Sequence, residues 1–186
     1  NYSLATVEFE EGTTLDNIGK GMFFRDEALA SITLPSTVTV INDEAFYNCK
    51  ALTEIDLSNI DEIGAYAFYN CASLKEAILS NDVTELNDAA FYDCSSLEKV
   101  KLSEKLTTLG DLISKDAEED VKGVFAGCSS LKEIVIPKGV NNIGKNTFNG
   151  CENLRRVIIE TSSLKKVGAN AFNDVSPEAV FVVKNN

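Results

Sequence analysis

Seven phenylalanines recur along the chain at Phe23, Phe46, Phe68, Phe91, Phe125, Phe148 and Phe172, with gaps of 23, 22, 23, 34, 23 and 24 residues. Each drags a fixed set of landmarks behind it. A small residue follows after three positions, as Cys49, Cys71, Cys94, Cys128 and Cys151, with Asp26 and Val175 in the outer copies. Leucine follows after six (Leu29, Leu52, Leu74, Leu97, Leu131, Leu154). Apolar residues follow after nine (Ile32, Ile55, Ala77, Val100, Ile134, Val157) and after eleven (Leu34, Leu57, Leu79, Leu102, Ile136, Ile159). A second apolar pair closes each unit: Val38/Ile41, Ile60/Ile63, Val83/Leu86, Leu106/Leu109, Val140/Ile143 and Leu164/Val167. Self-similarity at a fixed period of this length is the mark of a repeat architecture.

The pair at nine and eleven alternates with period two, which predicts a short half-buried strand. The segment around each Phe is too short for a stable isolated helix and suits a turn or a single helical coil. One unit cannot bury its apolar face alone, whereas stacked units can, with strands about 4.8 Å apart in a parallel sheet. The expected fold class is therefore an α/β solenoid of about seven stacked repeats of 22–24 residues, one parallel sheet on one side and turns or helical coils on the other. Equivalent residues then stand in ladders along its axis. A Gly or Asn follows each closing pair (Gly19, Asn42, Gly64, Asn87, Gly110, Gly144, Gly168), and these residue types suggest corners at positive φ. Leu4, Val7 and Phe9 read as the strand of an opening repeat, and Ala179 to Val183 as a closing strand.

A single domain over residues 1–186 is expected, since no linker composition divides the chain and 44% hydrophobic content suffices for a continuous core. The long gap marks an insertion of about eleven residues at 111–122, which should bulge from the coil as a loop. It carries Asp111, Asp116, Glu118, Glu119 and Asp120. These lack the spaced oxygens and turn glycine of a calcium loop, so a solvated loop is the preferred reading over a calcium site.

The formal net charge of −12 argues against nucleic acid, which demands a basic footprint, and against adsorption to anionic lipid. Charge is unevenly spread: residues 1–100 hold 18 acidic and 5 basic residues, residues 101–186 hold 11 and 12. No apolar run has the length to span a bilayer, so no direct membrane insertion is expected. The polar start Asn1-Tyr2-Ser3 has no basic n-region leading into an apolar stretch, and since a removed signal peptide would leave no trace, secretion and the cytosol both stay open.

Catalytic chemistry finds little to work with. The sequence has no His, which removes His-dependent triads and His-built zinc sites. Five cysteines cannot all pair internally, and stacked with parallel Cβ vectors they have the wrong torsion for disulfides. They read as small buried hydrophobes. The stretch from Gly139 to Asn146 approximates a phosphate loop but has Asn146 where Ser or Thr is required, and Gly144 coincides with the corner glycines of other repeats. No metal ligand set, cofactor or catalytic residue is assigned.

Residues between the two apolar strand landmarks face away from the core: Glu8, Thr33, Asp56, Ile78, Lys101, Val135 and Ile158. The later ones are unusually apolar for exposed sites, and Lys99, Glu133 and Arg156 flank them. An apolar stripe edged by charge is the pattern of a protein-binding patch. Ile78, Lys99, Lys101, Glu133, Val135, Arg156 and Ile158 are therefore the candidate ligand-binding residues, against the plainer reading that strands favour β-branched side chains.

The order Ala-Phe-x-x-Cys-x-x-Leu-x-x-Ile-x-Leu/Ile-Pro followed by Val-x-x-Ile-Gly, clearest over 45–57, 67–79, 90–102 and 124–137, resembles the BspA-type leucine-rich repeat family. The resemblance covers nearly the whole chain. It departs at the proline, present only at Pro35 and Pro137, and at the insertion. The resemblance implies a bacterial cell-surface or secreted protein, similar to some that bind host matrix proteins or mediate cell contact, and it implies no catalytic residues. The functional expectation is a non-enzymatic interaction module adhering to a host protein or glycan, extracellular matrix included. The alternatives are a passive spacer within a larger surface protein and, third, an enzyme acting on glycans or peptides.

Overall fold

The computed structural model describes residues 4–110 and 122–184, so the acidic residues of the insertion lie outside the described residues. The chain winds as successive coils, each contributing short strands that pair in parallel with their counterparts one repeat away. Strands fall into two columns, where the sequence suggested one sheet. The first column uses the closing apolar pair of each repeat: β1 (Asn17–Ile18), β2 (Val40–Ile41), β3 (Glu62–Ile63), β5 (Glu85–Leu86), β7 (Thr108–Leu109), β9 (Asn142–Ile143) and β11 (Lys166–Val167). The second uses the period-two segment: β4 (Glu76–Ile78), β6 (Lys99–Lys101), β8 (Glu133–Ile136), β10 (Arg156–Ile159) and β12 (Val180–Val183). The first splits into β1-β2-β3 and β11-β9-β7-β5, the second into β4-β6 and β12-β10-β8.

Register follows the period read from sequence. Arg156, Val157, Ile158 and Ile159 pair with Glu133, Ile134, Val135 and Ile136 on one side and with Val180, Phe181, Val182 and Val183 on the other. The residues expected to open the solenoid differ: Leu4, Val7 and Phe9 are partly buried against the core but form no strand.

The third side of each coil is made of turns, and no helix occurs among the described residues. Its hydrogen bonding explains why. Around each Phe, alternate N–H groups bond locally, as Tyr47 N–H to Glu44 O (3.1 Å) and Cys49 N–H to Phe46 O (3.1 Å). The intervening ones reach the next coil: Phe46 N–H to Ala67 O (2.8 Å), Asn48 N–H to Tyr69 O (2.7 Å), Phe68 N–H to Ala90 O (2.8 Å). A helix would spend every N–H within its own segment and give the neighbouring coil nothing. The alternation requires positive φ on either side of the Phe, and Glu44 (57°) and Asn48 (60°), Tyr66 (57°) and Asn70 (54°), Ala89 (55°) and Asp93 (60°) all adopt it. This is the φ that the third residue of a type II turn demands.

The corner positions are corrected accordingly. Of the seven Gly and Asn residues expected at positive φ, only Gly110 takes it (80°). Gly64 and Gly168 are there because coils approach closely: a Cβ on either would lie 2.4 Å from a backbone nitrogen, of Asp43 and Lys145 respectively. Asn42 and Asn87 instead use their side chains, each donating from Nδ2 to the Ile carbonyl of the preceding coil (Ile18 and Ile63, both 2.9 Å). The near-match to a phosphate loop dissolves in the same way. Gly144 N–H donates to Leu109 O at 2.7 Å and Asn146 N–H to Ala169 O at 3.0 Å, so these amides serve coil stacking and not an anion.

The core is one continuous cluster. Successive core rings from Phe23 to Phe172 stack with centroids 5.1–5.7 Å apart, and Phe46, Phe68, Phe91, Phe125 and Phe148 are fully buried. Each such ring contributes about 1.5–3 kcal/mol through burial.

Candidate functional site

The second strand column presents the surface on which the candidate residues lie. Side chains one place before its inward residues form a charged column, Glu76, Lys99, Glu133 and Arg156. Lys99 Nζ sits 3.1 Å from Glu76 Oε2, and Arg156 Nε 3.1 Å from Glu133 Oε2. Opposite charges facing each other across paired strands support the register. At the N-terminal end of this column Glu54 precedes Glu76, like beside like, and there the ladder reduces to an isolated bridge between Ser31 and Glu54.

The outward column places Ile78 opposite Lys101, and Val135, Ile158 and Val182 in one continuous register. Lys101 is exposed, Ile78 and Val135 are half-buried, and Ile158, flanked by two neighbours of similar bulk, is only 9% exposed. The structure thus brings Val135 and Ile158 together with the Glu133–Arg156 pair, while Lys101 separates Ile78 from them. Val182 completes the apolar strip and was missed, although the 24-residue step from Ile158 leads straight to it. Beyond it, Val180, Phe181 and Val183 are exposed apolar residues of β12.

Sequence reasoning placed Glu8, Thr33 and Asp56 on the N-terminal half of this face but expected strands there; the period-two segments at 32–34 and 55–57 form none, only the bridge between Ser31 and Glu54, and clefts open between the coils. One of about 440 Å³ is floored by Ile32, Leu34, Ile55 and Ile60 and edged by Glu54 and Asp56. Asp56 accepts the backbone N–H of Ser58 at 2.9 Å, which holds its carboxyl below the usual range. Clefts were illegible because they arise from a missing strand pairing.

The thiols are uniformly withdrawn from chemistry. All five are free and buried, and each S–H donates to the carbonyl of the Phe one coil back: Cys49 to Phe23 and Cys71 to Phe46 at 3.1 Å, Cys94 to Phe68, Cys128 to Phe91 and Cys151 to Phe125 at 3.2 Å. Burial pushes Cys49 and Cys151 up to about 12, so the reactive thiolate is suppressed. No group of three or more metal-ligating side chains converges among the described residues, and no helix among them is long and apolar enough to cross a membrane.

Coils stacked in parallel, with matched side chains in unbroken columns, define a solenoid repeat protein. The chain belongs to the BspA-type leucine-rich repeat family, whose model matches in six copies over residues 16–117 and 118–185. Among solved structures it is similar to a leucine-rich repeat protein of T. pallidum, at 26% identity and a TM-score of 0.70, over 83% of this chain and 69% of that one. It is also similar to a leucine-rich cell surface protein of Faecalibacterium prausnitzii A2-165 (24% identity, TM-score 0.63, 100% of this chain and 61% of that one). A leucine-rich repeat protein of Bacteroides ovatus ATCC 8483 shares the fold (24% identity, TM-score 0.55, 91% and 58%). The chain thus spans less than two thirds of the length of the latter two. No curated protein sequence matches it.

Proposed function

We propose that this chain is a non-enzymatic interaction module of a cell-surface or secreted protein, and that the outward face of its second strand column contacts a protein or glycan, with host extracellular matrix the favoured source. The observation that carries the reading is the contiguous strip Val135–Ile158–Val182 beside the Glu133–Arg156 pair. An apolar centre rimmed by charge, with an arginine at its edge, matches how protein interfaces concentrate binding energy. Membership in a leucine-rich repeat family supports the class of function, and the F. prausnitzii neighbour, described as a cell surface protein, supports the location. Ile78, Lys99 and Lys101 extend the proposed surface toward the N-terminal coils.

A passive spacer is the competing reading, favoured by the continuity of the core along the axis. The two part on mutation. Binding to immobilised purified matrix proteins and mucin should fall at least roughly tenfold in Val135→Glu and Arg156→Glu, the loss expected at an interface centre, while far-ultraviolet circular dichroism stays unchanged. Binding absent from every coat, or indifferent to both substitutions, would assign the chain to the spacer class.

A further inference from the structure

On the N-terminal half of the strand face, the second column lacks the hydrogen bonds that close it elsewhere. In the C-terminal coils Glu160 N–H donates to Ile136 O at 3.0 Å and Lys184 N–H to Ile159 O at 2.9 Å, which seals one coil on the next. Ser58 holds the equivalent position, yet its N–H turns to Asp56 Oδ1 at 2.9 Å. Leu79 N–H reaches Lys101 O at 3.0 Å, whereas the equivalent N–H groups of Leu34 and Leu57, and the Leu34 C=O, make no hydrogen bond among the described residues. There the cleft of about 440 Å³ opens over Ile32, Leu34, Ile55 and Ile60. A second cleft of about 340 Å³ continues from it, sharing Glu54, Ile55, Asp56 and Ser58 and reaching Ile78. Countercharge is missing in the same place. Along this column Glu76 faces Lys99 and Glu133 faces Arg156, but Glu54 has Ser31 on one side and Glu76 on the other. Glu54 and Asp56 are both exposed and form no ion pair among the described residues.

We propose that this groove binds an extended polypeptide segment in which basic side chains flank an apolar one, the basic groups supplying the cations that Glu54 and Asp56 lack. The floor sets the first condition. It is apolar, and its volume lies within the roughly 300–1,000 Å³ of ligand pockets, so it suits a side chain the size of Leu or Val and not a bare cation. Charge sets the second. Glu54 and Asp56 edge both clefts, while Lys75 lines the second only, which places the ligand's basic groups over the first. Main-chain chemistry sets the third: unpaired N–H and C=O groups beside an apolar floor are what an exposed strand offers to an extended peptide. Nucleic acids and anionic glycans meet repulsion instead, since residues 1–100 hold 18 acidic and 5 basic side chains. The inference does not rest on the Val135–Ile158–Val182 strip being an interface.

Fluorescence anisotropy on the intact chain tests the groove with three labelled peptides, Lys-Leu-Lys-Val-Lys, Lys-Ser-Lys-Ser-Lys and Glu-Leu-Glu-Val-Glu. The first should bind saturably and lose affinity as salt rises. The second should bind at least roughly tenfold more weakly for want of apolar burial, and the third should not bind. Glu54→Gln combined with Asp56→Asn, which keeps an acceptor for the Ser58 N–H, should weaken the first peptide roughly fivefold, the scale of two exposed ion pairs. Glu62→Gln combined with Glu85→Gln removes the same charge from the first strand column and should change affinity by less than about twofold, because those carboxylates act only at a distance. Thr33→Lys, a change at an exposed rim position of the first cleft, should abolish binding. Should one of the groove variants fail to fold, the other decides. No saturable binding of the first peptide, equal affinity for the first two, or equal weakening by the two charge-removing pairs overturns the proposal, the last by showing only general attraction to an acidic chain.

Discussion

The five cysteines show how one residue type serves the stacking of coils. Their smallness and burial were legible at fixed distance from each Phe. Their second task was not, because it depends on a carbonyl that only the preceding coil brings within reach, and a thiol is a weak donor that sequence rules do not count. The consequence is measurable. Each thiol stays neutral in the fold far above its ordinary value of 9.0, while in the unfolded chain it ionises from that pH upward. The unfolded state therefore holds fewer protons above pH 9, and the thiols' contribution to stability is complete below pH 9 and lost as pH rises toward 12. Cys94→Ala should cost about 1–2 kcal/mol at pH 7, for the lost hydrogen bond and the small void. That penalty should shrink steadily in urea unfolding between pH 9 and 10.5. A constant penalty over the range would show that the thiol is not shielded in the fold. Ile158 carries the converse lesson: alternation placed it correctly on the outward face, but the bulk of Val135 and Val182 beside it decides how little of it water reaches.

At the scale of elements, the period-two strands were readable and the turn side was not. A segment with Phe, Cys and Leu three residues apart fits a helical coil as well as it fits overlapping turns, and the residues at positive φ give no warning. Glu44, Tyr66 and Ala89 occupy that region against their preference, held there because the N–H alternation must feed the next coil. The glycines likewise look alike in sequence and differ in cause. At Gly64 an added Cβ meets the backbone of the adjacent coil, 2.4 Å from Asp43 N and 2.6 Å from Asn42 C. At Gly12 a Cβ meets nothing within 4 Å, and only φ (83°) opposes it. Gly64→Ala should accordingly lower unfolding stability by about 3 kcal/mol, the upper range for overpacking, and Gly12→Ala by about 1 kcal/mol, the cost of a left-handed residue. Equal losses in chemical denaturation would mean that coil spacing does not constrain position 64.

Across the whole molecule, ion pairs join equivalent positions of neighbouring coils. Glu27–Lys50, Glu76–Lys99, Glu133–Arg156 and Glu160–Lys184 each join one coil to the next. Such exposed pairs add little energy individually, but all of them favour the same register. The unequal charge of the two halves, visible in sequence, emerges as two different surfaces: acidic clefts where the second column forms no strand, and a laddered face with an apolar strip where opposite charges alternate. The candidate strip was half legible, since Val135 and Ile158 follow from alternation, while its extension to Val182 follows only when the period is carried into the closing strand. Both proposed surfaces exist only if every coil sits directly on the one before it. NMR with phenylalanine-specific ring labelling tests this most directly. Ring-to-ring contacts should link Phe23, Phe46, Phe68, Phe91, Phe125, Phe148 and Phe172 in that order, each inner ring touching only its two neighbours in the series and Phe172 also meeting Phe181 edge-on. Contacts that skip a member, or rings grouped into separate clusters, would contradict the stacked-coil account.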